Sequence, residues 1–323
     1  VQTCALPIFT AEFQLYPADQ TLSGNGNTGL LNRQTFVGLK QNGVGQFALG
    51  TQYTPVHNAV GATDPGQQNN IAGNVIYAAS TGLAASTASD ITKSAAQTNS
   101  IAYTVRTANT LTASTDTFAG FKVNAMYTLA NQNSTVISSS SGANANANGW
   151  GLGVDYTWQK LYVAAAMNRL KSDNLSPTTT LTTPTPAAWT GAGGGTNTQD
   201  NQFYAGATYD FGILKSFLQY VSRKDTSTLN TNYFAKRSAQ QIGVRSYITP
   251  TVEGWASWGN GKVTSWGAGS PNANFVAWQA GLNYYLSKRT NLYGIYGANN
   301  LASSSANPSL NTAAFALGVR HTF

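Results

Sequence analysis

The sequence predicts an all-β fold, a transmembrane antiparallel β-barrel, and three observations carry that reading. First, residues 313–323 alternate. Phe315, Leu317, Val319, His321 and Phe323 fall on one face, and Ala314, Ala316, Gly318, Arg320 and Thr322 on the other. Strand side chains point to opposite faces with period two, so one face is apolar and the other small or polar. A soluble protein rarely ends on such an edge, which invites aggregation. In a closed barrel the strand pairs on both sides and its apolar face meets hydrocarbon, with Phe323 as a membrane-assembly signal. Second, comparable alternating segments recur along the chain, separated by clusters of Gly, Asn, Ser and Pro. Third, only 9% of the 323 residues are charged, against roughly 25% in an ordinary soluble domain.

In chain order, strands are expected at residues 9–16, 33–39, 45–53, 100–106, 121–130, 150–158, 161–169, 202–211, 214–223, 239–249, 252–258, 275–286, 290–298 and 313–323, about fourteen in all. Lys40-Gln41-Asn42-Gly43 joins the second to the third as a hairpin. In the fourth, Ile101, Tyr103 and Val105 oppose Ala102, Thr104 and Arg106. In the fifth, Phe121, Val123, Ala125, Tyr127 and Leu129 oppose Lys122, Asn124, Met126 and Thr128. Ile242, Val244 and Ile248 oppose Gln241, Arg245 and Tyr247, and Leu282, Tyr284 and Leu286 oppose Asn283 and Tyr285. Strands 214–223 and 290–298 carry apolar residues on both faces, which leaves their facing open.

The connections sort into two sets. Short ones fall at 159–160, 212–213, 250–251 and 287–289; long ones at 132–149, 172–201, 225–236, 259–274 and 299–312. Tight turns on one rim and long polar loops on the other are the arrangement of an outer-membrane barrel. The gap from Tyr53 to Ser100 is longer than the rest, and a loop of that length in a compact fold is functional or disordered. A water-filled barrel needs about 16 strands or more, so the visible strands plus one absent hairpin give a sixteen-stranded architecture.

Composition excludes other classes. Mean hydropathy is −0.21, and no apolar run approaches the roughly 18 residues of a spanning helix. The net charge is +7, but Lys and Arg are scattered singly, so no nucleic-acid partner is expected. The single Cys allows no internal disulfide. His57 and His321 have no ligand-spaced companions, so no metal or other cofactor is expected. No nucleophile elbow, P-loop or dinucleotide fingerprint is present, and the chain is read as a non-enzyme. No signal-peptide pattern is visible. Residues 1–8 resemble the translation of a sequencing-adapter oligonucleotide and are expected to be non-native, leaving 9–323 as the barrel domain.

A family resemblance rests on several runs. They are Asn32-Arg33-Gln34-Thr35-Phe36-Val37-Gly38-Leu39, Gly45-Gln46-Phe47-Ala48-Leu49-Gly50-Thr51-Gln52-Tyr53-Thr54-Pro55, Leu286-Ser287-Lys288-Arg289-Thr290-Asn291-Leu292-Tyr293 and Gly318-Val319-Arg320-His321-Thr322-Phe323. Together these resemble the trimeric general porins of Gram-negative bacteria, particularly the betaproteobacterial type, over almost the whole chain. The resemblance implies passive diffusion of small hydrophilic solutes and inorganic ions across the outer membrane, contact with outer-membrane lipid, and a homotrimer. It also implies that residues 54–99 hold a constriction loop folded into the barrel, with Asp64 near its acidic tip. Where the family commonly has wall arginines, this chain has Thr51 and Ala102, so selectivity is expected to be weakly anionic at most.

Parity makes Arg106, Lys122, Arg245 and Arg320 lumen-facing cations, and a ring of one sign biases permeation. Asp64 and Asp90 are candidates for the opposing charge, with Asp64-Pro65-Gly66 equally readable as a plain turn. Trp158, Tyr162, Tyr209, Trp255, Tyr285 and Tyr293 lie near strand ends and are expected in the interfacial girdles. The alternative readings are an outer-membrane adhesion barrel or a soluble β-sandwich carbohydrate-binding protein. The loop after Tyr53 discriminates: a constriction lies inside the barrel, an adhesive loop projects outward.

Overall fold

The computed structural model describes residues 5–15, 30–77, 102–133, 144–174, 198–228, 231–232, 234–265, 273–302 and 309–322. The strands are β1 (Leu6–Leu15), β2 (Leu30–Gln41) and β3 (Gly45–Tyr53), then helix α1 (Pro55–Thr63), then β4 (Arg106–Thr115), β5 (Phe121–Asn133), β6 (Asn144–Trp158), β7 (Leu161–Asn174), β8 (Thr198–Asp210), β9 (Lys215–Ser227), β10 (Phe234–Thr249), β11 (Val252–Ser265), β12 (Ala273–Ser287), β13 (Thr290–Leu301) and β14 (Leu310–His321). All 14 form one sheet in chain order. Every neighbouring pair is antiparallel, so all connections are hairpins, and β1 and β14 are the two edges of the sheet. Leu6, Pro7 and Ile8 belong to β1, opposite Lys40, Leu39 and Gly38.

The expected sorting of connections is present. Short turns link β2–β3, β4–β5, β6–β7, β8–β9, β10–β11 and β12–β13 on one rim, where β14 also ends. The strand ends joined by the longer connections lie on the other rim, which in an outer-membrane barrel faces outward from the cell.

The two faces of each strand have opposite character. Outward side chains are apolar and exposed, among them Phe315 and Leu317 at 78% and 79%. Inward positions are polar or small, as in Gln219, Gln241 and Gln279. This inverts a soluble protein, because lipid accepts the apolar face and the interior is wet. The facing expected for β5, β10 and β12 holds, and Arg320 shares the inward side of β14 with Ala314, Ala316 and Gly318. Phe323 and Asp90 lie outside the described residues.

Two expectations are corrected. The fourth strand is Arg106–Thr115, not 100–106. Residues 102–105 form an irregular stem packed inside the barrel, with Ala102, Tyr103, Thr104 and Val105 all buried. Burial on every side had imitated a strand alternation. Of the six girdle residues, only Trp158 and Tyr209 face outward. Trp255 is buried inside, Tyr285 hydrogen-bonds inner-face Glu253, Tyr162 packs on the interior cluster, and Tyr293 shares parity with inward Asn291 and Ile295. Parity, not position near a strand end, sets the facing of these rings. The outward aromatics instead make two belts. Phe121, Trp158, Tyr209 and Tyr284 lie towards the short-turn rim, and Trp150, Phe203, Tyr220, Trp258, Trp278 and Tyr296 towards the other.

The inversion gives a direct test. Leu282→Lys, on the lipid face, should destabilise the folded protein in bilayers by about 2–4 kcal/mol. Asn124→Lys, on the inner face, should cost about 1 kcal/mol or less, being solvated. Urea unfolding in lipid vesicles measures both, and equal losses would mean that the faces are misassigned.

Candidate functional site: the infolded segment and the lumen wall

Immediately after Tyr53 the chain turns inward. Thr54 caps α1: its hydroxyl accepts from His57 N at 3.2 Å and donates to Thr104 O at 2.7 Å. Pro55 follows at the first helical turn, where its missing N–H is not needed. Thr54 N also donates to Val105 O at 3.0 Å, so the entering and returning stems are joined.

The helix lies on the inside of the wall, against β5–β9 and chiefly β7 and β8. Val56, Ala59, Val60 and Thr63 recur with helical spacing and are buried. Val56, Ala59 and Val60 meet Ala164, Ala166, Tyr204 and Val221 in one apolar cluster. The wall is cut back to receive them: a Cβ on Gly153 would stand 3.2 Å from Pro55, and one on Gly206 2.7 Å from Thr63 Oγ1. Here small residues are a docking groove.

Beyond α1 the segment crosses β10–β13, held mainly by uncharged side chains. Ile71 N donates to Gln279 Oε1 at 3.3 Å, and Gln279 Nε2 to Asn70 Oδ1 at 2.6 Å. Val75 N donates to Gln241 Oε1 at 3.2 Å. Gln241 then donates to Gln219 at 2.8 Å, and Gln219 to the Tyr204 hydroxyl at 2.9 Å. Tyr204 also hydrogen-bonds Thr63. On the returning stem, Thr104 N donates to Gln202 Oε1 at 2.9 Å. Arg237 Nη2 donates to Val75 O at 2.5 Å.

The sequence-selected residues scatter over this interior. Asp64 is 2% exposed and accepts from Gly66 N, Gln68 N, Asn70 Nδ2 and Asn74 Nδ2 at 3.3, 2.6, 2.6 and 3.4 Å. Those are the bonds of a turn residue, and they span residues 64–74. Burial pushes its carboxyl up, opposed by the Asn70, Gln68 and Gly66 donors. Arg245 pairs with Glu253 and donates to Pro65 O at 2.7 Å, beneath the loop tip. Lys122 is directly opposite Asp155 beside the short-turn rim, and Arg320 lies at that same rim opposite Asn291. Arg106 alone stands beside the infolded stem, with its guanidinium 5.7 Å over the Tyr53 ring.

Arg106 has a companion that sequence reasoning missed. Between β1 and β2, Glu12 faces Gln34 but Phe13 faces Asn32, so Arg33 is the extra residue of a bulge. By simple alternation Arg33 would share the outward face of Thr35 and Val37. The bulge turns it inward, where it donates to Glu12 at 2.6 Å, Gln14 at 3.4 Å and the Tyr53 hydroxyl at 3.1 Å. The His57 ring lies 4.3 Å from that of Tyr53. Burial, then the Arg106 and Arg33 charges, push His57 down to about 3. Arg106 Nε and Nη1 have no hydrogen-bond partner among the described residues. The wall facing the segment is therefore cationic, tempered by Glu12.

A fourteen-stranded sheet, apolar outside and polar inside, that wraps a segment folded into its lumen defines an outer-membrane channel. A model of the Gram-negative porin family matches residues 8–302, and the chain belongs to that family. It is a non-enzymatic outer-membrane barrel through which solutes diffuse passively. Among solved structures, an anion-selective porin from Comamonas acidovorans shares 18% identity and a TM-score of 0.66 over 98% of this chain and 84% of its own. OmpF of Salmonella typhi, in complex with daunomycin, shares 19% and 0.64 over 100% and 87%. The trimer form of OmpT of Vibrio cholerae shares 14% and 0.63 over 99% and 87%. No curated protein matches the sequence.

The docking makes two predictions. Gln241→Leu and Gln279→Leu each orphan a buried loop amide, so hydrogen exchange at Val75 and Ile71 respectively should accelerate about tenfold; unchanged protection would show that the apolar cluster alone holds the segment. His57 is favoured neutral when docked. Its contribution is complete above its ordinary value of about 6.5 and is lost as pH falls from there towards about 3. Asp64 acts in the opposite sense, its protonated form being favoured by burial. Pepsin cleavage within residues 64–77 should therefore rise on acidification from about pH 6 to 4 less in His57→Gln than in the parent. An equal rise would exclude the imidazole.

Proposed function

We propose that the protein is a weakly anion-selective diffusion porin for small hydrophilic solutes and inorganic ions, acting as a homotrimer, with residues 54–99 as its constriction. The observation that carries this reading is the charge balance across the infolded segment. Its one carboxylate among the described residues, Asp64, is spent on the loop's own turn. The facing wall presents Arg33 and Arg106 against Glu12. Arg106, beside the stem, and Arg237, on Val75 O, stand without an ion pair among the described residues and favour anions modestly, because charge acts over about 8–10 Å at physiological salt. Lys122, Arg245 and Arg320 stand farther off or are already paired, and bias permeation less. The likeness to the Comamonas acidovorans porin and to the trimeric Vibrio cholerae OmpT supports the selectivity and the oligomer.

Two measurements test this. Under a KCl gradient, Arg106→Gln should shift the reversal potential towards cation preference more than Arg320→Ala does; the reverse order would put the narrow zone at the short-turn rim. Deleting residues 58–90 should raise single-channel conductance and admit larger sugars, since a barrel of this strand number without an infolded loop is wide. Unchanged conductance in a folded deletion variant would place the constriction elsewhere.

A further inference from the structure

The aromatic side chains of this wall divide by their surroundings. Outward rings meet lipid, and inward ones such as Tyr103 and Tyr204 pack in the buried cluster under the infolded segment. Tyr247 on β10, Tyr285 on β12 and Tyr293 on β13 do neither. They face inward but stand outside that cluster, between the loop tip and the short-turn rim. Tyr247 is 58% exposed, and Tyr285 and Tyr293 are half-buried. A wet lumen gains nothing from bare aromatic surface, which water solvates poorly.

The sheet register gathers these rings into one array. Tyr247, Glu253, Asn283, Tyr293 and Gly318 are successive cross-strand partners from β10 to β14, so all five share the inner face. The row above holds Arg245, Trp255 and Gly281, and there Arg245 bonds Pro65 O at the loop tip. Inward positions are two residues apart, so the array begins about 7 Å below that tip. The row beneath holds Tyr285, Asn291 and Arg320. Tyr247 and Tyr293 are three strands apart, about 14 Å, with Tyr285 between them. A solute that has passed the loop tip meets this surface next.

The rings are fixed in place. Tyr285 donates to Glu253 Oε2 at 2.9 Å, and its ring centre lies 6.0 Å from that of Tyr247. Glu253 is held by Arg245 and accepts from Asn283 Nδ2 at 3.1 Å. Asn291 Nδ2 donates in turn to Asn283 Oδ1 at 3.3 Å. Tyr293 reaches over Gly318: a Cβ there would stand 2.4 Å from its hydroxyl oxygen and 2.5 Å from its Cζ. The bare backbone of β14 therefore makes room for the ring.

We propose that this array is a binding subsite for a neutral pyranose sugar, on the short-turn side of the constriction. A pyranose has a face of C–H groups and a rim of hydroxyls. Its C–H faces stack on the tyrosine rings, and its hydroxyls bond the Tyr247 and Tyr293 hydroxyls, Asn291 and exposed Arg320. Apolar surface with a few placed polar groups is the general pattern of a small-molecule site. Glu253 is already engaged by Arg245, Asn283 and Tyr285, which argues against a cationic ligand. Binding spread over three rings is weak at each, as a channel requires if the solute is to leave again. The inference rests on the diffusion reading and adds a solute class to it.

The test is the block of ionic current through the full chain in planar bilayers, titrated with cellotriose. Mannitol at equal mass concentration is the control, since it has the hydroxyls but no ring face. Cellotriose should block half of the current at roughly millimolar concentration, and mannitol should not. Tyr247→Leu/Tyr293→Leu should raise the half-blocking concentration about tenfold or more, while Tyr247→Phe/Tyr293→Phe should stay within about threefold of the parent. Gly318→Ala, which displaces the Tyr293 ring and removes no group that touches the sugar, should weaken block in the same direction. It also serves where the leucine variant fails to fold. The outward Tyr296→Leu should behave like the parent. An unblocked parent, equal block by mannitol, or equal half-block in the parent and in both the leucine and Gly318→Ala variants would overturn the proposal. So would a phenylalanine variant as weak as the leucine one, because the rings would then not be the binding surface. Conductance in KCl alone, recorded first in the same bilayers, tests the diffusion reading separately: a channel that conducts but is not blocked refutes only the sugar subsite.

Discussion

Inside a bilayer a backbone N–H or C=O has no water to turn to, and every strand of this protein is arranged around that fact. The only sheet that satisfies lipid-exposed backbone is one in which each strand finds partners on both sides. Hence the unbroken succession from β1 to β14, each antiparallel to the next, in which β2 to β13 have partners on both sides and β1 and β14 are the edges. Hairpin connectivity follows, because tight turns place sequence neighbours side by side. The inverted faces follow as well. Once the ladder is secured, the outward side chains are free to be apolar and the inward ones to be hydrated.

The interior is less watery than that scheme alone requires. Because the segment after Tyr53 folds back, part of the inner wall is covered and behaves like the core of a soluble protein. Val56, Val60, Val75, Ile76, Tyr103, Val221 and Phe275 form one cluster there. This explains the strands whose facing the sequence left open. Phe217 and Val221 point inward beside outward Leu218 and Tyr220; two apolar faces on β9 mean lipid on one side and an infolded segment on the other. The polar fastenings are largely amides, Gln202, Gln219, Gln241 and Gln279, which do not titrate. Arg237 and Arg245 add two charged donors, to Val75 O and Pro65 O.

That division of charge runs through the whole wall. Several acidic side chains are drawn inward, into pairs such as Asp200 with Arg223 and Glu253 with Arg245. Lys224, Lys236 and Lys262 are exposed on the outward face towards the long-loop rim, Lys224 with its Nζ 4.7 Å over the Phe234 ring. The net charge of +7 is therefore not one property. Part of it neutralises interior acids, part lines the passage, and part faces the membrane surface.

The local pattern by itself determined the fold class, the number of strands, their facing wherever one side was plainly apolar, and the two rims. Period-two alternation and turn chemistry are local, so residues such as Phe121–Leu129 or Ala313–Thr322 declare their faces without help from the rest of the chain. Strand lengths were underestimated: β6 begins at Asn144 and β11 runs to Ser265, because polar residues beyond the apolar band continue the ladder without an alternation to announce it. The interior was decided only by tertiary structure. A one-residue bulge at Arg33 reverses a side chain that parity sends outward. Asp64 becomes a turn residue because four donors meet it. Ala102 to Val105 look like a strand because they are buried all round. Each depends on which remote segments meet inside the barrel, and no periodicity along the chain encodes that.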